Sequence, residues 1–399
     1  MIWIFIILAI PIVVGILSFF LYLDFYFGRR HHEKHMDNTI YPITTGDYQF
    51  YQLGSTLFND MMQDIKNAKH EILVEFFIIK NDDFSNKLLD LLQEKAREGI
   101  IVRILLDRVG GFRFTYKKRS ILKKAGIHFA FSEKPGFPYL FYRLNRRNHR
   151  KITVMDGKIA YVGGFNIGDE YLGKKVKFSN WRDYHLRLTG QITQDIQALF
   201  QKDWERAKDK ITVYHADLSP KSKEVQSIAT DGFGLEEIFI QFINSAEKEI
   251  LIGSPYFIPT KSLLHALHRA IERGVSVKLL VPMKADHPFV KEGGIPFLFK
   301  MKEYGAEVKL FDQGFYHGKL FLLDHKICDI GTANFDYRSF YWNKEINIIL
   351  YDKSFIEEVR TAYLKDFQES IDVNEQWYNQ LNWWTKMKMG IARVLRPFL

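Results

Sequence analysis

The stretch HRKITVMDGKIAYVGGFN, residues 149–166, returns as HGKLFLLDHKICDIGTAN at residues 317–334. Five residue types recur at the same offsets: His149 and His317, Lys151 and Lys319, Asp156 and Asp324, Gly163 and Gly331, Asn166 and Asn334. From average residue usage, one such window arises by chance in roughly one chain in ten thousand. Two in one chain indicate an internal duplication, and the flanking sequence repeats as well. AKHEILVEFFI (68–78) is answered by AEKEILIGSPYFI (246–258), each an apolar run of strand length. Helix-period segments follow, ending at Gly99 and Gly274 after a basic last turn. Each half then returns to a short apolar run, IIVRILLD and VSVKLLVP. Strand, helix, strand implies a βαβ unit with parallel pairing. The expected fold class is therefore α/β, with two similar domains over residues 46–215 and 216–375 and an active site at their interface. The stretch Asp217–Ser222, holding Pro220, reads as the crossing linker.

The motif spacing has a chemical reading. His149 to Met155 looks like a strand, and side chains alternate faces with period two, so His149 and Lys151 point the same way. The same holds for His317 and Lys319. Asp156-Gly157 suits a hairpin turn, and the small residues at 163 and 164 let backbone approach a ligand closely. Asn166 and Asn334 follow as amide donors. A histidine, a lysine and an asparagine converging on one point make a nucleophile beside an oxyanion clamp, and two facing copies make one site for phosphodiester transfer. One imidazole attacks phosphorus, the other protonates the leaving alkoxide, and lysines and asparagines bind the non-bridging oxygens. Those four side chains carry the charge work, so neither metal nor cofactor is expected. Each histidine needs a partner on its second ring nitrogen. Asp183 in WRDYHLRL and Glu345 in NKEINIIL are the candidates. Asp156 and Asp324 complete the motif and count with the catalytic set, although their strand-end position equally suits fixing the turn.

These motifs resemble the paired HKD motifs of the phospholipase D superfamily. RLNRRNHRKITVMDGKIAYVGGFNIGDEYLG, WRDYHLRLTG, SPYFIPT, FYHGKLFLLDHKICDIGTANFDYRSF and the tail IARVLRPFL resemble blocks of bacterial cardiolipin synthases in particular. They are spread from about residue 70 to the C-terminus. The resemblance implies transfer of a phosphatidyl group between two phosphatidylglycerol molecules with release of glycerol, with His149 as nucleophile and His317 as acid, or the reverse. A hydrolytic phospholipase D, another phosphatidyltransferase and a nuclease of the same superfamily are the alternatives. Many relatives carry two N-terminal hydrophobic segments, whereas this chain shows one.

Composition narrows the setting. The 399 residues are 47% hydrophobic and 26% charged, ordinary for globular domains. Cys328 is the sole cysteine, which excludes an intrachain disulfide and fits a reducing compartment. The formal net charge of +9 suits an anionic partner. The first 23 residues carry no charge, long enough for a transmembrane helix. Residues 1–27 are therefore expected to be a retained single-pass membrane anchor. Arg29, Arg30 and Lys34 behind it argue for a cytoplasmic catalytic part. Residues 28–45, with His31, His32 and His35, read as a solvated basic linker rather than a metal tract. Residues 376–399 hold Trp383, Trp384 and four basic residues among apolar ones, which suits a helix lying at a lipid surface or packed on the domain. The loop 134–147, aromatic and broken by Pro and Gly, reads as a rim admitting lipid or as packed core. The expected partners are thus an anionic phospholipid and the membrane rather than nucleic acid; oligomeric state is not legible.

Overall fold

The computed structural model describes residues 2–36, 38–175 and 178–399; Met1, the first residue of the expected anchor, lies outside them. Fourteen strands carry the architecture: β1 Thr44–Leu53, β2 Glu71–Phe76, β3 Ile101–Asp107, β4 His128–Ser132, β5 Ile152–Met155, β6 Ile159–Gly163, β7 Asn180–Thr189, β8 Lys223–Asp231, β9 Glu249–Gly253, β10 Ser276–Pro282, β11 Glu307–Phe311, β12 Leu320–Leu323, β13 Ile327–Gly331 and β14 Lys344–Leu350. The first sheet runs β1-β7-β6-β5-β2-β3-β4. The second runs β8-β14-β13-β12-β9-β10-β11. Every strand of the second sheet is thus the first-sheet strand seven places earlier, with the same parallel and antiparallel pairings. The duplication expected from the motifs is a duplication of topology.

Local sequence explains the elements. β2 reads EILVEF and is buried at every position, as a strand covered on both faces requires. The helix Asp83–Arg97 between β2 and β3 is capped by Asp82, whose side chain accepts the Ser85 N–H. The helix Lys261–Glu272 between β9 and β10 is capped in the same way by Thr260. Gly99 and Gly274 follow these two helices at φ +89° each, the left-handed conformation that a helix exit favours. Alternation along the strands divides the core. Leu73 and Leu105 face a central core shared with Leu251, Leu280 and Leu322 of the second half. Ile72, Val74 and Ile104 face an outer layer with Phe58, Leu88 and Leu92, and Ile250, Ile252 and Leu279 do likewise with Leu263 and Leu267. The helices Ile192–Ala207 and Lys353–Gln368 supply Phe200, Trp204, Phe355 and Tyr363 to the central core. A core shared in this way fixes how the halves sit on one another. It is reinforced where Thr44–Gly46 of β1 pairs with Lys223–Val225 of β8.

One expectation is revised. Residues 149–155 were expected to form one strand, but β5 begins only at Ile152. Residues 148–151 leave their own sheet and bridge to the second half, as described below. The basic stretch after the apolar segment begins as helix, with Arg30, His31, Lys34 and His35 exposed and His32 turned to the second half. One helix runs from Ile2 to Glu33. The Asp24 carboxylate accepts the Tyr142 N–H at 2.8 Å, and Phe25 packs against the rings of Tyr142, Trp342 and Phe398. His32 Nε2 lies 3.1 Å from the Asp231 carbonyl. Among the described residues no group of three or more His, Cys, Asp or Glu is placed to hold a metal. The stretch Ile12–Glu33 is long and apolar enough to cross a membrane, and Val14, Leu17 and Phe20 on it stand exposed.

Candidate active site

Each half lends its histidine segment to the other. Residues 314–316 run parallel to the start of β7, pairing with Asn180–Arg182, and the His317 N–H donates to the Arg182 carbonyl at 2.6 Å. In the mirror arrangement Asn148 bridges Lys344 at the start of β14, and the His149 N–H donates to the Lys344 carbonyl at 3.0 Å. Carboxylates one position further along those strands then meet the imidazoles. Glu345 lies 3.0 Å from His149 Nδ1, and Asp183 lies 2.5 Å from His317 Nδ1. The pairs are crossed: a first-half histidine is oriented by a second-half acid, and the converse. With Nδ1 donating to a carboxylate, Nε2 carries the free lone pair.

The supports of the two acids differ in one instructive way. Glu345 is fully buried and also accepts from Thr332 Oγ1 at 2.6 Å, Ser339 Oγ at 2.9 Å and Asn343 Nδ2 at 3.1 Å. Asp183, shorter by one methylene, accepts from the Tyr184 N–H at 2.8 Å. Position 164 is glycine where position 332 is threonine. A Cβ on Gly164 would stand 2.0 Å from Asp183 Oδ1, so the short acid demands glycine. The longer glutamate leaves room for a threonine that donates to it. Ser339 and Thr332 escaped the sequence reading; the one signal was this Gly-to-Thr difference inside the repeat.

Lys151 and Lys319 lie behind the histidines, buried. Lys151 Nζ donates to the His149 carbonyl at 2.7 Å. Lys319 donates to the His317 carbonyl and comes within 2.5 Å of His317 Nδ1. That nitrogen cannot donate to Asp183 and accept from Lys319 at once, and the carboxylate is the stronger claim on it, because a buried carboxylate needs donors whereas Lys319 already has the His317 carbonyl and Asp183 itself, at 3.6 Å, as partners. Burial pushes the Lys151 ammonium down to about 7, against the pull of Glu345 and with repulsion from Lys319. Burial pushes Lys319 down to about 8, against Asp183 and Glu345. His149 is lowered to about 4, by burial first, with Glu345 opposing and Lys151 adding. Burial and then Lys319 lower His317, with Asp183 opposing. Both acids stay below the ordinary carboxylate range despite burial. His149 and Lys151 hold Glu345 down, and Lys319 and His317 hold Asp183 down. The site thus pairs neutral imidazoles with ammonium groups that are easily deprotonated.

Asn166 and Asn334 line the same cavity of about 600 Å³ as both histidines. Asn166 Oδ1 accepts the Ile78 N–H at 3.2 Å, which leaves its amide nitrogen as the donor. Asn334 Nδ2 donates to Asp336 at 3.1 Å and retains a second N–H. Trp181 and Tyr256 form further walls, and Tyr256 donates to Asp286 at 2.5 Å. Phe112, Leu144 and Leu399 supply apolar lining.

Asp156 and Asp324 do not reach the cavity, which corrects their inclusion in the catalytic set. Asp156 accepts the N–H groups of Lys69, His70 and Glu71 at 2.7–2.8 Å. Asp324 accepts those of Glu247, Lys248 and Glu249 at 2.7–2.9 Å. Both sit at φ +51° in the hairpin turn and tie it to the strand at the centre of the sheet. Asp324→Ala is expected to cost about 2–4 kcal/mol, since three N–H donors lose a charged acceptor. The expected readout is a lower denaturation midpoint with kcat changed only a few-fold. A catalytic loss of a hundredfold or more at unchanged stability would refute the turn-fixing role.

Comparison with known proteins agrees with this geometry. A family model described as cardiolipin synthase, PLD-like domain, matches residues 61–204 and 239–368, one segment in each half. The chain belongs to the cardiolipin synthase, PLD-like domain family. Among members with a curated name, the minor cardiolipin synthase ClsB of Bacillus subtilis is 37% identical over 396 residues, covering 98% of this chain and 99% of that protein. A cardiolipin synthase of Staphylococcus aureus is 36% identical over 373 residues, covering 91% of this chain and 76% of the relative. A Listeria monocytogenes cardiolipin synthase is 36% identical over 397 residues, covering 94% and 82%. The phosphatidylserine synthase structure of Haemophilus influenzae shares the fold, at a TM-score of 0.69 and 15% identity over 93% of this chain and all of that one. The two segments matched by the cardiolipin synthase family model contain His149 and His317, one each.

Proposed function

We propose that the chain synthesises cardiolipin from two molecules of phosphatidylglycerol. The observation that supports this reading best is the pair of crossed histidine–carboxylate contacts opening into one cavity. In the first step, His149 Nε2 attacks the phosphorus of phosphatidylglycerol and the bond from phosphorus to the glycerol oxygen breaks. Protonated His317 gives its proton to that oxygen, and glycerol leaves. In the second step, the hydroxyl of another phosphatidylglycerol loses its proton to His317 and attacks phosphorus from the vacated side. Cardiolipin forms and His149 is freed. Lys151 and Lys319 offset the charge on the phosphoryl oxygens, with Asn166 and Asn334 donating to them. The negative substrate also raises both lysines and His317, which supplies the charged acid for the first step.

Purified protein supplied with phosphatidylglycerol is expected to release glycerol and cardiolipin in equal amounts. Phosphatidic acid as the sole lipid product would show hydrolysis instead. His149 acts neutral, so kcat/KM rises with pH through its value of about 4. His317 acts charged, so kcat/KM falls first through its lowered imidazole value, and falls again through about 7 to 8 as Lys151 and Lys319 lose their charge. The expected profile is bell-shaped with a slightly acidic optimum, and the alkaline limb of kcat lies higher because bound phosphate holds the lysines charged. A flat profile from about pH 5 to pH 9 with chemistry rate-limiting contradicts it.

The membrane reading adds domain roles. Residues 1–27 are proposed as a single-pass anchor, with the catalytic part on the cytoplasmic side. Residues 46–215 and 216–375 are the two catalytic domains. The C-terminal helix Trp383–Leu395 packs one side on the second domain, where Ala392 is fully buried and Lys388 reaches Glu292 at 3.5 Å. Its other side exposes Trp383, Trp384, Ile391 and Val394, so it both packs and offers an apolar face to lipid. The loop before His149 likewise buries Tyr142 and leaves Phe137 83% exposed. Removal of residues 1–27 is expected to weaken, not abolish, sedimentation with phosphatidylglycerol vesicles. Adding Trp383→Ala and Trp384→Ala should lower the residual binding about tenfold or more, two interfacial aromatics being lost. Complete loss on removing the anchor alone would leave these secondary contacts without a role.

A further inference from the structure

A second cavity, of about 460 Å³, lies where the N-terminal helix meets both domains, apart from the catalytic one. Its walls include His31, His35, Lys134, Arg143, Arg146 and Lys344. The carboxylates facing it, Glu133 and Asp231, are already engaged. Glu133 pairs with Arg146 and, at 3.3 Å, with Lys344. Asp231 pairs with Arg146 and, at 3.0 Å, with Arg206. Positive charge remains in excess. Among the described residues, Lys134 and Arg143 touch no carboxylate: Lys134 reaches the Ala207 carbonyl at 3.4 Å and Arg143 the Phe137 carbonyl at 3.5 Å. The Arg146 Nε–H is buried and has no acceptor. An excess of guanidinium and ammonium groups around an empty donor is suited to a phosphate, and the volume admits a glycerophosphate-sized group.

We propose that this cavity holds the phosphate of an anionic phospholipid headgroup, at a site distinct from the catalytic one. Its position favours a lipid source: Gly28 and His31 in its wall lie on the last turns of the N-terminal helix, just past its apolar part, and His35 just beyond its end. This choice of source rests on that helix being the membrane anchor. An occupant would be felt at the reacting centre. Lys344 faces the cavity, its carbonyl accepts the His149 N–H, and the next residue, Glu345, orients the His149 ring.

The test is calorimetric titration of dihexanoylphosphatidic acid into the full-length chain in detergent, a readout that needs no turnover and so is independent of the proposed reaction. The unaltered chain is expected to bind two equivalents, one at each cavity. Lys134→Gln with Arg143→Gln is expected to weaken one of the two by about thirtyfold, from about 1 kcal/mol per basic residue and 1.4 kcal/mol per factor of ten. Lys123→Gln with Lys124→Gln, exposed basic residues outside this cavity, serves as the charge-matched control and should change neither. A double variant whose isotherm matches the unaltered chain overturns the site. Glycerol 3-phosphate, titrated in parallel, is expected to bind at least tenfold more weakly there; equal affinity would overturn the lipid as source and assign the cavity to a soluble phosphate ester.

Discussion

Alanine at His149 is expected to lower cardiolipin formation by about 10⁴-fold or more, because the proposed nucleophile of the covalent phosphoenzyme is removed. The side chain is nearly buried but lines an open cavity, so removing the ring should leave the denaturation midpoint within a few degrees. His317→Ala is expected to cost about 10²–10⁴-fold, the usual range for loss of a positioned acid and base. The two losses differ in kind. A phosphatidyl ester of p-nitrophenol, whose leaving group needs no proton, should restore the first step in His317→Ala and leave His149→Ala inactive. Activity above a tenth of the unaltered enzyme in either variant contradicts the assignment.

The second large effect tests the crossing. Glu345→Gln is expected to cost about 10³–10⁴-fold, because an amide offers His149 Nδ1 the wrong hydrogen-bond pattern and favours the wrong tautomer. Asp183→Asn should cost a similar amount through His317. Since Glu345 serves the nucleophile, Glu345→Gln should abolish phosphoenzyme formation even from the p-nitrophenyl ester. Since Asp183 serves the acid, Asp183→Asn should be rescued by that ester in its first step. Had each acid served the histidine of its own half, the rescue pattern of the two acids would be reversed while that of the two histidines stayed as above. That combination refutes the crossed pairing.

The paired motifs were enough to read a duplicated α/β fold, because five residue types at fixed offsets constrain both backbone and chemistry. The two βαβ units were legible too, since β2, the helix Asp83–Arg97 and β3 carry clear apolar periods and glycine exits. Asp183 and Glu345 could be named as acids but not allotted, because which histidine each meets depends on packing between the halves. The same packing ended the expected strand at Ile152, since residues 148–151 are drawn to β14. Asp156 and Asp324 were ambiguous for a different reason. A carboxylate after a strand serves equally in sequence as a reactant or as an acceptor for backbone N–H groups, and only the six N–H contacts decide. The contacts of His32 in the basic stretch were not legible because its partners, Asp231 and Tyr142, lie more than a hundred residues away.

All of this depends on one nitrogen becoming bonded to phosphorus. His317→Ala protein mixed with the p-nitrophenyl ester, quenched in alkali and digested, is expected to yield a phosphatidyl adduct on the peptide carrying His149. Mass spectrometry reads it directly. An adduct found on His317 in the unaltered chain and never on His149, or release of p-nitrophenol with no adduct on either histidine, would contradict the account.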